Sequence, residues 1–312
     1  MRTEELTVQA DDGTPLHVYH WSADAPRTPH AIVHVSHGMG EHAARYARFA
    51  EALVAAGHEV YANDHRGHGK TARSEAELGW FAPRDGWRVV VDDLWRHLRT
   101  ARERHPGVPL VLFAHSMGSF IAQHVLILHG DALAAAVLCG SSGKPPAIAK
   151  AGQVLARVER LRQGPRGRSA LLRKMSFDDY NRQFRPNRTT ADWLSRDAAE
   201  VDKYVADPLC GFDSTNQLWI DLLGGLDEIA RPELQARIPR ALPIHVIAGS
   251  EDPVGLKTRG VAQLLGAYRA AGLTNVTHKF YPGARHELLN ETNRDEVTRD
   301  VVAWLDDVLP KA

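Results

Sequence analysis

The stretch LVLFAHSMGSF, residues 110–120, decides the predicted fold, because it joins an apolar strand to a helix through a single serine. Its apolar start predicts a buried strand, and residues 117–129 have the pattern of a helix. A serine on a sharp turn in this position is the pattern G-x-S-x-G, in which the turn makes the hydroxyl protrude. The stretch therefore predicts Ser116 as a nucleophile that lies near the positive end of a helix.

The residues that flank Ser116 depart from this pattern at two positions. Ala114 stands where the first glycine is expected, and Ser119 stands where a further glycine often follows, while Gly118 keeps the pattern. Small residues are needed there because the strand and the helix cross closely. Since an alanine adds only one methyl group, the crowding is modest and the predicted nucleophile is kept.

Short apolar runs alternate with helical patterns on both sides of this stretch. The predicted strands are residues 6–10, 15–21, 30–38, 58–64, 109–116, 133–141, 242–250 and 275–283. The predicted helices are residues 42–56, 86–104, 117–129, 256–271 and 291–309. Continuous Val/Ile/Leu-rich strands separated by helices are typical of a parallel sheet covered on both faces. The sequence therefore predicts an α/β protein whose mostly parallel central sheet begins with an antiparallel hairpin.

Residues 143–240 interrupt this alternation and contain no convincing strand. Helices are predicted within them at residues 148–163, 167–175, 189–206 and 214–228. The chain is thus divided into a first part of the core at residues 1–142, a helical insertion at 143–240 and a second part of the core at 241–312. Sites in such sheets lie at the carboxyl ends of the strands, and the insertion is predicted to form a cap or lid there.

A free serine is a poor nucleophile, so it needs a base within hydrogen-bond reach, which an acid in turn orients. On sheets of this kind the three groups follow one another in the order serine, acid, histidine. Asp252 follows the strand at 242–250, and His286 follows the last predicted strand. Both are expected to converge on Ser116. Glu251 is the competing acid, but its side chain is expected to face solvent.

Acyl transfer also needs N–H groups that point at the oxyanion developing on the substrate. One is expected from the backbone of Met117, and the other from the loop after the third strand. That loop, HGMGEH at residues 37–42, has two glycines that allow a tight turn, and the donor is assigned to the N–H of Met39. His37 and Gly38 in the same loop are predicted to contact the substrate.

Further polar residues lie near these segments. Glu41 and Arg45 are four positions apart, a spacing that suits an ion pair on a helix. Another group follows the next strand: Asp64, His65, Arg66 and His68. These residues either contact the substrate or the triad loop or, as the favoured interpretation, brace the loops as a buried network. Their histidines, with His37 and His42, fit no zinc spacing, so no metal ion is predicted.

The composition is that of an ordinary globular protein, with 44% hydrophobic and 24% charged residues. The 38 basic and 38 acidic residues give a formal net charge of zero, which argues against nucleic acid as a partner. Cys139 and Cys210 alone can form neither a disulfide framework nor a cysteine-based zinc site. Because there is no apolar run of membrane-spanning length and no signal-peptide pattern at the N-terminus, a soluble cytoplasmic protein is expected.

Several of these motifs together resemble one family. They are HGMGEHAARY at residues 37–46, NDHRGHGKT at 63–71, AHSMGS at 114–119, LSRDAAEVDKYVADPLC at 194–210, Asp252-Pro253 and GARHELLNE at 283–291. In this combination the chain resembles the monoacylglycerol lipases and lysophospholipases of the α/β-hydrolase superfamily, a group often described as serine aminopeptidase-like. The resemblance implies the α/β-hydrolase fold, a mobile helical cap and lipid-like monoesters as substrates. It also implies a triad of Ser116, Asp252 and His286, with Met39 and Met117 as oxyanion donors.

The predicted activity is hydrolysis of a carboxylic ester, a monoacylglycerol or a lysophospholipid, through an acyl-enzyme and without a cofactor. Candidates to line the acyl pocket are Trp193, Leu194, Leu218, Trp219 and Leu222. One alternative is an amidase or aminopeptidase with the same triad, whose amine would need acidic cap residues such as Glu200 and Asp202. Another is a hydrolase fold that binds without catalysis, which the complete triad disfavours. Haloalkane dehalogenation is disfavoured because position 116 is a serine and not an aspartate.

The cap is unusually basic. Residues 157–188 contain ten lysines and arginines against three acidic residues, with apolar residues between them. The favoured interpretation is a solvated charged face over an ordinary cap core. A basic amphipathic helix can also lie on an anionic membrane surface or face a negatively charged headgroup. Transient contact of the cap with a membrane surface is therefore kept as a hypothesis.

Overall fold

The computed structural model describes residues 1–25 and 27–310 and places eight strands in one sheet. The strands are β1 (Arg2–Gln9), β2 (Pro15–Ser22), β3 (Ile32–Ser36), β4 (Glu59–Asn63), β5 (Leu110–His115), β6 (Ala135–Cys139), β7 (Ile244–Gly249) and β8 (Val276–Tyr281). Their order across the sheet is β1-β2-β4-β3-β5-β6-β7-β8. β2 is antiparallel to both β1 and β4, and the other pairs are parallel. The predicted mostly parallel sheet with an antiparallel hairpin at one edge is confirmed.

The α-helices follow the strands in the alternation that the sequence predicts. They are α1 (Ala47–Ala55), α2 (Gly86–Arg104), α3 (Met117–His129), α4 (Ala147–Gln163), α5 (Ala170–Arg173), α6 (Asp179–Arg182), α7 (Ala198–Ala206), α8 (Asn216–Ile229), α9 (Pro232–Gln235), α10 (Arg259–Ala270) and α11 (Arg294–Val308). Within the described ranges, none of these helices has both the length and the apolar character needed to cross a bilayer.

The core consists of two layers that lie on opposite faces of the sheet. Because successive strand residues point to opposite faces, β5 contributes Leu112 to one layer and Phe113 to the other. The first layer contains the apolar faces of α2, α3 and α10, and the second contains those of α1 and α11. Every residue of β5 is buried. The strand that leads to Ser116 is therefore fixed by packing on both sides.

The helices α4 to α9 all lie between β6 and β7, in the segment predicted as an insertion. Two of them, α4 and α8, begin and end within two residues of the predicted helices. The helix predicted at residues 189–206 is wrong in its first half, since α7 begins only at Ala198. Asp192 accepts a hydrogen bond from the backbone N–H of Thr189, and Asp197 caps the amino end of α7. These short acidic side chains stabilise turns instead of a continuous helix.

Candidate active site

Ser116 occupies the turn between β5 and α3, at the carboxyl edge of the sheet. Its φ of 52° and ψ of −123° are values that residues with side chains rarely adopt. A Cβ atom on Gly118 would lie 2.3 Å from the carbonyl oxygen of Ser36 and 2.4 Å from that of His37. Position 118 therefore requires glycine, because only glycine lets α3 approach the end of β3 this closely.

The two departures from the usual elbow pattern are accommodated by packing and by a hydrogen bond. Ala114 is fully buried, in register with Ser36 on β3 and Leu138 on β6. The hydroxyl of Ser119 donates to the carbonyl oxygen of Ser116 at 2.6 Å. Ser119 thus stabilises the strained turn through its side chain.

Ser116, His286 and Asp252 form one hydrogen-bonded series. The His286 Nε2 atom lies 2.8 Å from Ser116 Oγ, and its Nδ1 atom lies 2.9 Å from Asp252 Oδ1. The same carboxylate oxygen accepts a hydrogen bond from the backbone N–H of Val254, also at 2.9 Å. Asp252 and His286 are buried in the loops after β7 and β8. In this arrangement the imidazole can take a proton from the serine while the acid holds its other nitrogen.

The loop after β3 packs directly against the serine. A Cβ atom on Gly38 would lie 3.1 Å from Ser116 Cβ. Met39 and Met117 line the same cavity as Ser116, and their N–H groups donate to no other backbone group in the described part of the chain. An oxygen atom bound in the cavity can therefore accept hydrogen bonds from either group.

His37 does not reach this cavity, contrary to the prediction that it contacts the substrate. Its ring is fully buried, with Nδ1–H donating to the carbonyl oxygen of Gly38 at 2.7 Å. Its Nε2 accepts a hydrogen bond from the backbone N–H of His65 at 3.0 Å. Because both ring nitrogens are used, His37 holds the loop in place and has no donor left for a ligand.

Four charged side chains form a hydrogen-bonded network next to the triad: Glu41, Arg45, His115 and Glu287. Glu41 accepts hydrogen bonds from the N–H of Gly38 at 2.6 Å, from Arg45 at 2.6 Å and, at 3.1 Å, from the ring of His115. Arg45 also makes two hydrogen bonds of 2.7 Å to Glu287, the residue after His286. The loop of residues 37–42 and the loop of the triad histidine are thus tied together, so the buried network braces the loops, as the favoured interpretation predicts, and also contacts the triad loop, as the alternative predicts.

The charges within this network stabilise one another. Burial alone would lower the pKa of His115, but the hydrogen bond to Glu41 and the negative charges of Glu41 and Glu287 together outweigh burial and raise this pKa above its ordinary value. Burial likewise opposes ionisation of Glu41, yet the hydrogen bond from His115 and the charge of Arg45 hold the pKa of Glu41 well below its usual range. Glu287 was not anticipated from the sequence, although its position directly after His286 offered a signal.

Ser116 opens into a cavity of about 200 Å³ that is lined mainly by apolar side chains of the cap. Of the residues predicted to contact the substrate, Gly38, Trp193, Leu194 and Trp219 line it, as does Leu222. Leu218 does not, because the lining face of α8 carries residues 219, 222, 223 and 226, at the spacing of one helix face. Leu218 lies one position off this face and is fully buried in the core.

The aromatic wall of the cavity contains residues that the sequence analysis missed. Trp193 stacks on the ring of His286 with a centroid distance of 4.9 Å. The two missed residues are Phe177 and Tyr180. Phe177 stacks on the Trp193 indole with a centroid distance of 5.8 Å, and Tyr180 packs against the same indole at 5.3 Å. Phe177 and Tyr180 lie between the predicted helices at residues 167–175 and 189–206, so periodicity gave no signal for them.

The four histidines considered for a metal site have other partners. Besides the two bonds of His37, His65 Nε2 lies 3.0 Å from Ser36 Oγ, and His68 Nδ1 lies 2.9 Å from the carbonyl oxygen of Arg66. His42 Nε2 lies 2.8 Å from a carboxylate oxygen of Asp207. Each of the four rings therefore contacts a different group, and these contacts hold the loops in place.

Burial of neutral histidines makes the fold sensitive to acid. Burial lowers the pKa of His34 and His68 to about 4 and that of His37 to about 3. A lowered pKa in the folded state means that the unfolded chain binds more protons, so stability is lost as pH falls from 6.5 towards 4. At pH 5.5 each group costs roughly 1 kcal/mol of folding free energy. Asp221, whose pKa is raised to about 6 by burial, changes stability in the opposite direction and offsets only part of this loss.

We therefore expect the Tm to fall by roughly 10 °C between pH 7.5 and pH 5.5. Thermal unfolding followed by circular dichroism at several pH values measures this shift. The variant His34→Gln removes one of the titrating groups and is expected to flatten the pH dependence only in part, because burial also lowers the pKa of His58, His124 and His245 to about 4. A Tm that stays constant over this range would contradict the prediction.

Comparison with known proteins gives concordant results. The sequence matches the profile of the family described as serine aminopeptidase, S33, over residues 27–293. It is 30% identical to the monoglyceride lipase of Mus musculus, over 94% of this chain and 88% of the relative. It is 28% identical to the monoacylglycerol lipase of Mycolicibacterium smegmatis, over 91% and 90% of the two chains. The crystal structure of a highly thermostable carboxyl esterase from Bacillus coagulans in complex with glycerol superimposes with a TM-score of 0.89 and 30% identity, covering 99% of both chains.

Proposed function

Because the chain belongs to the serine aminopeptidase S33 family and is a carboxylic ester hydrolase of the α/β-hydrolase fold, we propose that its substrates are monoacylglycerols. The observation that supports this proposal is the position of Ser116. Its hydroxyl lies at the floor of a large apolar cavity and within 2.8 Å of a buried imidazole. The site thus combines an activated nucleophile with room for an acyl chain.

The proposed reaction proceeds through an acyl-enzyme. Ser116 Oγ attacks the carbonyl carbon of the ester while His286 Nε2 takes the hydroxyl proton, and Asp252 stabilises the imidazolium that forms. The N–H groups of Met39 and Met117 donate to the oxyanion. When the tetrahedral intermediate collapses, the proton passes to the departing glycerol oxygen. Water then attacks the acyl-enzyme by the same steps, so the chain itself supplies every group needed and no cofactor takes part.

The lining of the cavity favours a neutral headgroup. No lysine or arginine of the described residues lines it, and its two acids, Glu41 and Glu287, are already paired with Arg45. His115 also lines it but is paired with Glu41, so a lysophospholipid phosphate would be buried without a free cationic partner, which is costly. A glycerol headgroup needs only hydrogen-bonding groups such as the hydroxyls of Tyr180 and Tyr204, which line the cavity.

The acidic residues considered for binding an amine do not reach the cavity. Glu200 pairs with Arg48 at 3.0 Å and Lys203 at 2.9 Å, and Asp202 pairs with Arg188 at 2.5 Å. Without a free carboxylate in the cavity, the amine of a peptide would have no ionic partner. This arrangement supports an ester substrate over an aminopeptidase substrate.

We expect glycerol monoesters with medium or long acyl chains to be hydrolysed with the highest kcat/KM, because each buried CH₂ contributes about 0.8 kcal/mol to binding. The measurement is a panel of monoacylglycerols from C4 to C18, matched lysophosphatidylcholines and aminoacyl naphthylamides. Lysophosphatidylcholines are expected to be at least tenfold poorer at equal chain length, and the naphthylamides inactive. Preference for the naphthylamides would reject the ester proposal, and preference for the lysolipids would reject only the neutral headgroup.

We also propose that residues 143–240 act as a cap that contacts a membrane surface. On α4, Ile148 and Leu161 are 63% and 84% exposed, and Val154 and Val158 are exposed as well. Exposed arginines, Arg157 among them, flank this apolar stripe. Ile148, near the start of the same helix, lines the cavity, so α4 carries the exposed stripe and also borders the site. A basic amphipathic helix of this kind suits an anionic bilayer, from which a monoester could enter the site directly.

The double variant Val158→Glu/Leu161→Glu is expected to reduce binding to anionic vesicles at least tenfold, since two exposed apolar side chains no longer insert. Hydrolysis of a short, water-soluble ester should be unchanged. Co-sedimentation at low and high salt measures the binding, and Val205→Glu, which changes an isolated exposed residue on α7, is the matched control. If the unchanged protein does not bind anionic vesicles at low salt, the membrane contact is ruled out.

A further inference from the structure

Three potential metal ligands meet at the amino edge of the sheet, opposite the edge that carries Ser116. His20 lies on β2, Glu59 is the first residue of β4, and His105 directly follows the carboxyl end of α2. Glu59 Oε2 lies 3.3 Å from His20 Nε2 and 2.8 Å from His105 Nε2. All three ligand atoms lie within 4.8 Å of one another. The side chains come from separate elements, so the cluster links the antiparallel edge of the sheet to the end of a long helix.

The chemistry and spacing of these atoms suit one divalent transition-metal ion. Two imidazole nitrogens and one carboxylate oxygen are a ligand set that Zn²⁺ takes, with bonds of about 2.0–2.2 Å and a water in the fourth tetrahedral position. Bonds of that length place neighbouring ligand atoms about 3.3 Å apart. The separation of Glu59 from His20 already has this value, whereas Glu59 and His105, 2.8 Å apart, would move apart by about half an ångström, and His20 and His105 would approach each other.

The surroundings of His20 give a second, independent indication of a cation. Its Nδ1 lies 3.3 Å from Glu4 Oε2, while its Nε2 faces Glu59 at the same distance. A neutral imidazole carries one N–H, so it can donate to only one of these two carboxylates and turns a lone pair towards the other. A metal ion between Nε2 and Glu59 removes this conflict, because Nδ1–H then donates to Glu4 in a carboxylate–histidine–metal arrangement.

The remaining contacts leave one side of the cluster open. The Tyr61 ring stacks on His20 at 4.2 Å and fixes that imidazole, whereas the Tyr61 hydroxyl, 2.9 Å from His105 Nε2, would exchange this hydrogen bond for a contact with the ion's water when the ion binds. His20, Glu59 and His105 together line a groove of about 270 Å³, through which an ion and its water can enter. The groove also contains Arg2 and Arg27, and Arg2 lies 3.6 Å from Glu4.

We propose that His20, Glu59 and His105 bind one divalent transition-metal ion of the Zn²⁺ type, with Glu4 orienting His20 and a water completing the coordination. The ion joins β2, β4 and the end of α2 and stabilises this edge of the sheet. Because the site lies at the edge remote from Ser116, it takes no part in ester hydrolysis. If the chain does not bind the metal ion, the proposed ester hydrolysis is unaffected. If the chain does not hydrolyse monoacylglycerols, the proposed metal site is likewise unaffected.

The test uses the full chain, stripped with a chelator, in titrations with Zn²⁺ followed by calorimetry and with Co²⁺ followed by visible absorption. We expect one Zn²⁺ per chain, a Tm increase of about 5 °C at a hundredfold excess over the Kd, and the intense visible bands of four-coordinate Co²⁺. His105→Gln and Glu59→Gln should weaken binding at least a hundredfold. Glu4→Gln should weaken it about 10- to 100-fold, as loss of a partner that orients a metal-binding histidine does.

The control is His278→Gln, which changes an exposed histidine on β8 at the far edge of the sheet and should leave binding and the Co²⁺ spectrum unchanged. The Tm of each variant without metal shows whether it is folded before binding is compared. Several weak sites with no distinct Co²⁺ spectrum would overturn the proposal. So would 1:1 binding that survives both His105→Gln and Glu59→Gln in folded protein.

Discussion

Replacing Ser116 by alanine is expected to lower kcat for ester hydrolysis by about 10⁵-fold or more, since the variant has no oxygen that can form the acyl-enzyme. The fold should be retained, because a smaller side chain on this turn removes no packing from either core layer. Steady-state hydrolysis of a monoacylglycerol measures the loss. Labelling with a fluorophosphonate probe reports directly whether the serine is activated.

The matched control is Ser142→Ala, because Ser142 lines the same cavity and lies outside the series of hydrogen bonds that joins Ser116 to Asp252. We expect this variant to label normally and to keep its rate within about tenfold of the unchanged protein. Labelling of Ser116→Ala at the normal rate would show that another residue is the nucleophile. The proposed mechanism would then be wrong even if the protein hydrolyses esters.

Asp252→Asn is expected to lower kcat by about 10⁴-fold with little change in the fold, since the amide is nearly isosteric with the carboxylate. An asparagine NH₂ group facing His286 Nδ1 would favour the wrong tautomer, in which Nε2 carries the proton and cannot accept one from Ser116. The effect is thus on the base and not on substrate binding. Measurements of kcat and KM over pH 6–9 distinguish the two, and we expect KM to change little.

Glu251→Gln provides the control at the neighbouring position. The Glu251 side chain is 43% exposed and lies 3.0 Å from the Nζ atom of Lys257, as expected for an acid that faces solvent. Its neutralisation should change kcat less than twofold, because an exposed ion pair contributes little. Equal losses in both variants would mean that the charge of the loop, and not the contact between Asp252 and His286, supports catalysis.

Much of the fold could be predicted because its signals are local. The apolar run before Ser116, the helical pattern after it and the small residue at Gly118 lie within a dozen positions of one another, and each restricts the backbone directly. The same is true of the loops that carry Asp252 and His286, which directly follow strands. In a parallel sheet the ends of the strands meet at one edge, so strand order along the chain was enough to predict convergence.

The contacts around the site could not be predicted in this way. Arg45 and Glu287 are 242 positions apart, and their pairing depends on how two loops pack at the end of the sheet. Leu218 and Trp219 are adjacent and both apolar, yet only one lines the cavity, because the rotation of α8 about its axis is set by its packing in the cap.

The sequence by itself determined the type and order of the strands and helices of the core and the catalytic candidates that follow the strands, since propensity, periodicity and turn chemistry act over a few positions. The tertiary structure alone decided which distant side chains meet: the wall of the cavity, the network behind the triad, and the cluster of His20, Glu59 and His105. Contacts between distant side chains depend on strand register, helix rotation and loop packing. These are set by the packing of all buried side chains in the core and not by any short stretch of sequence.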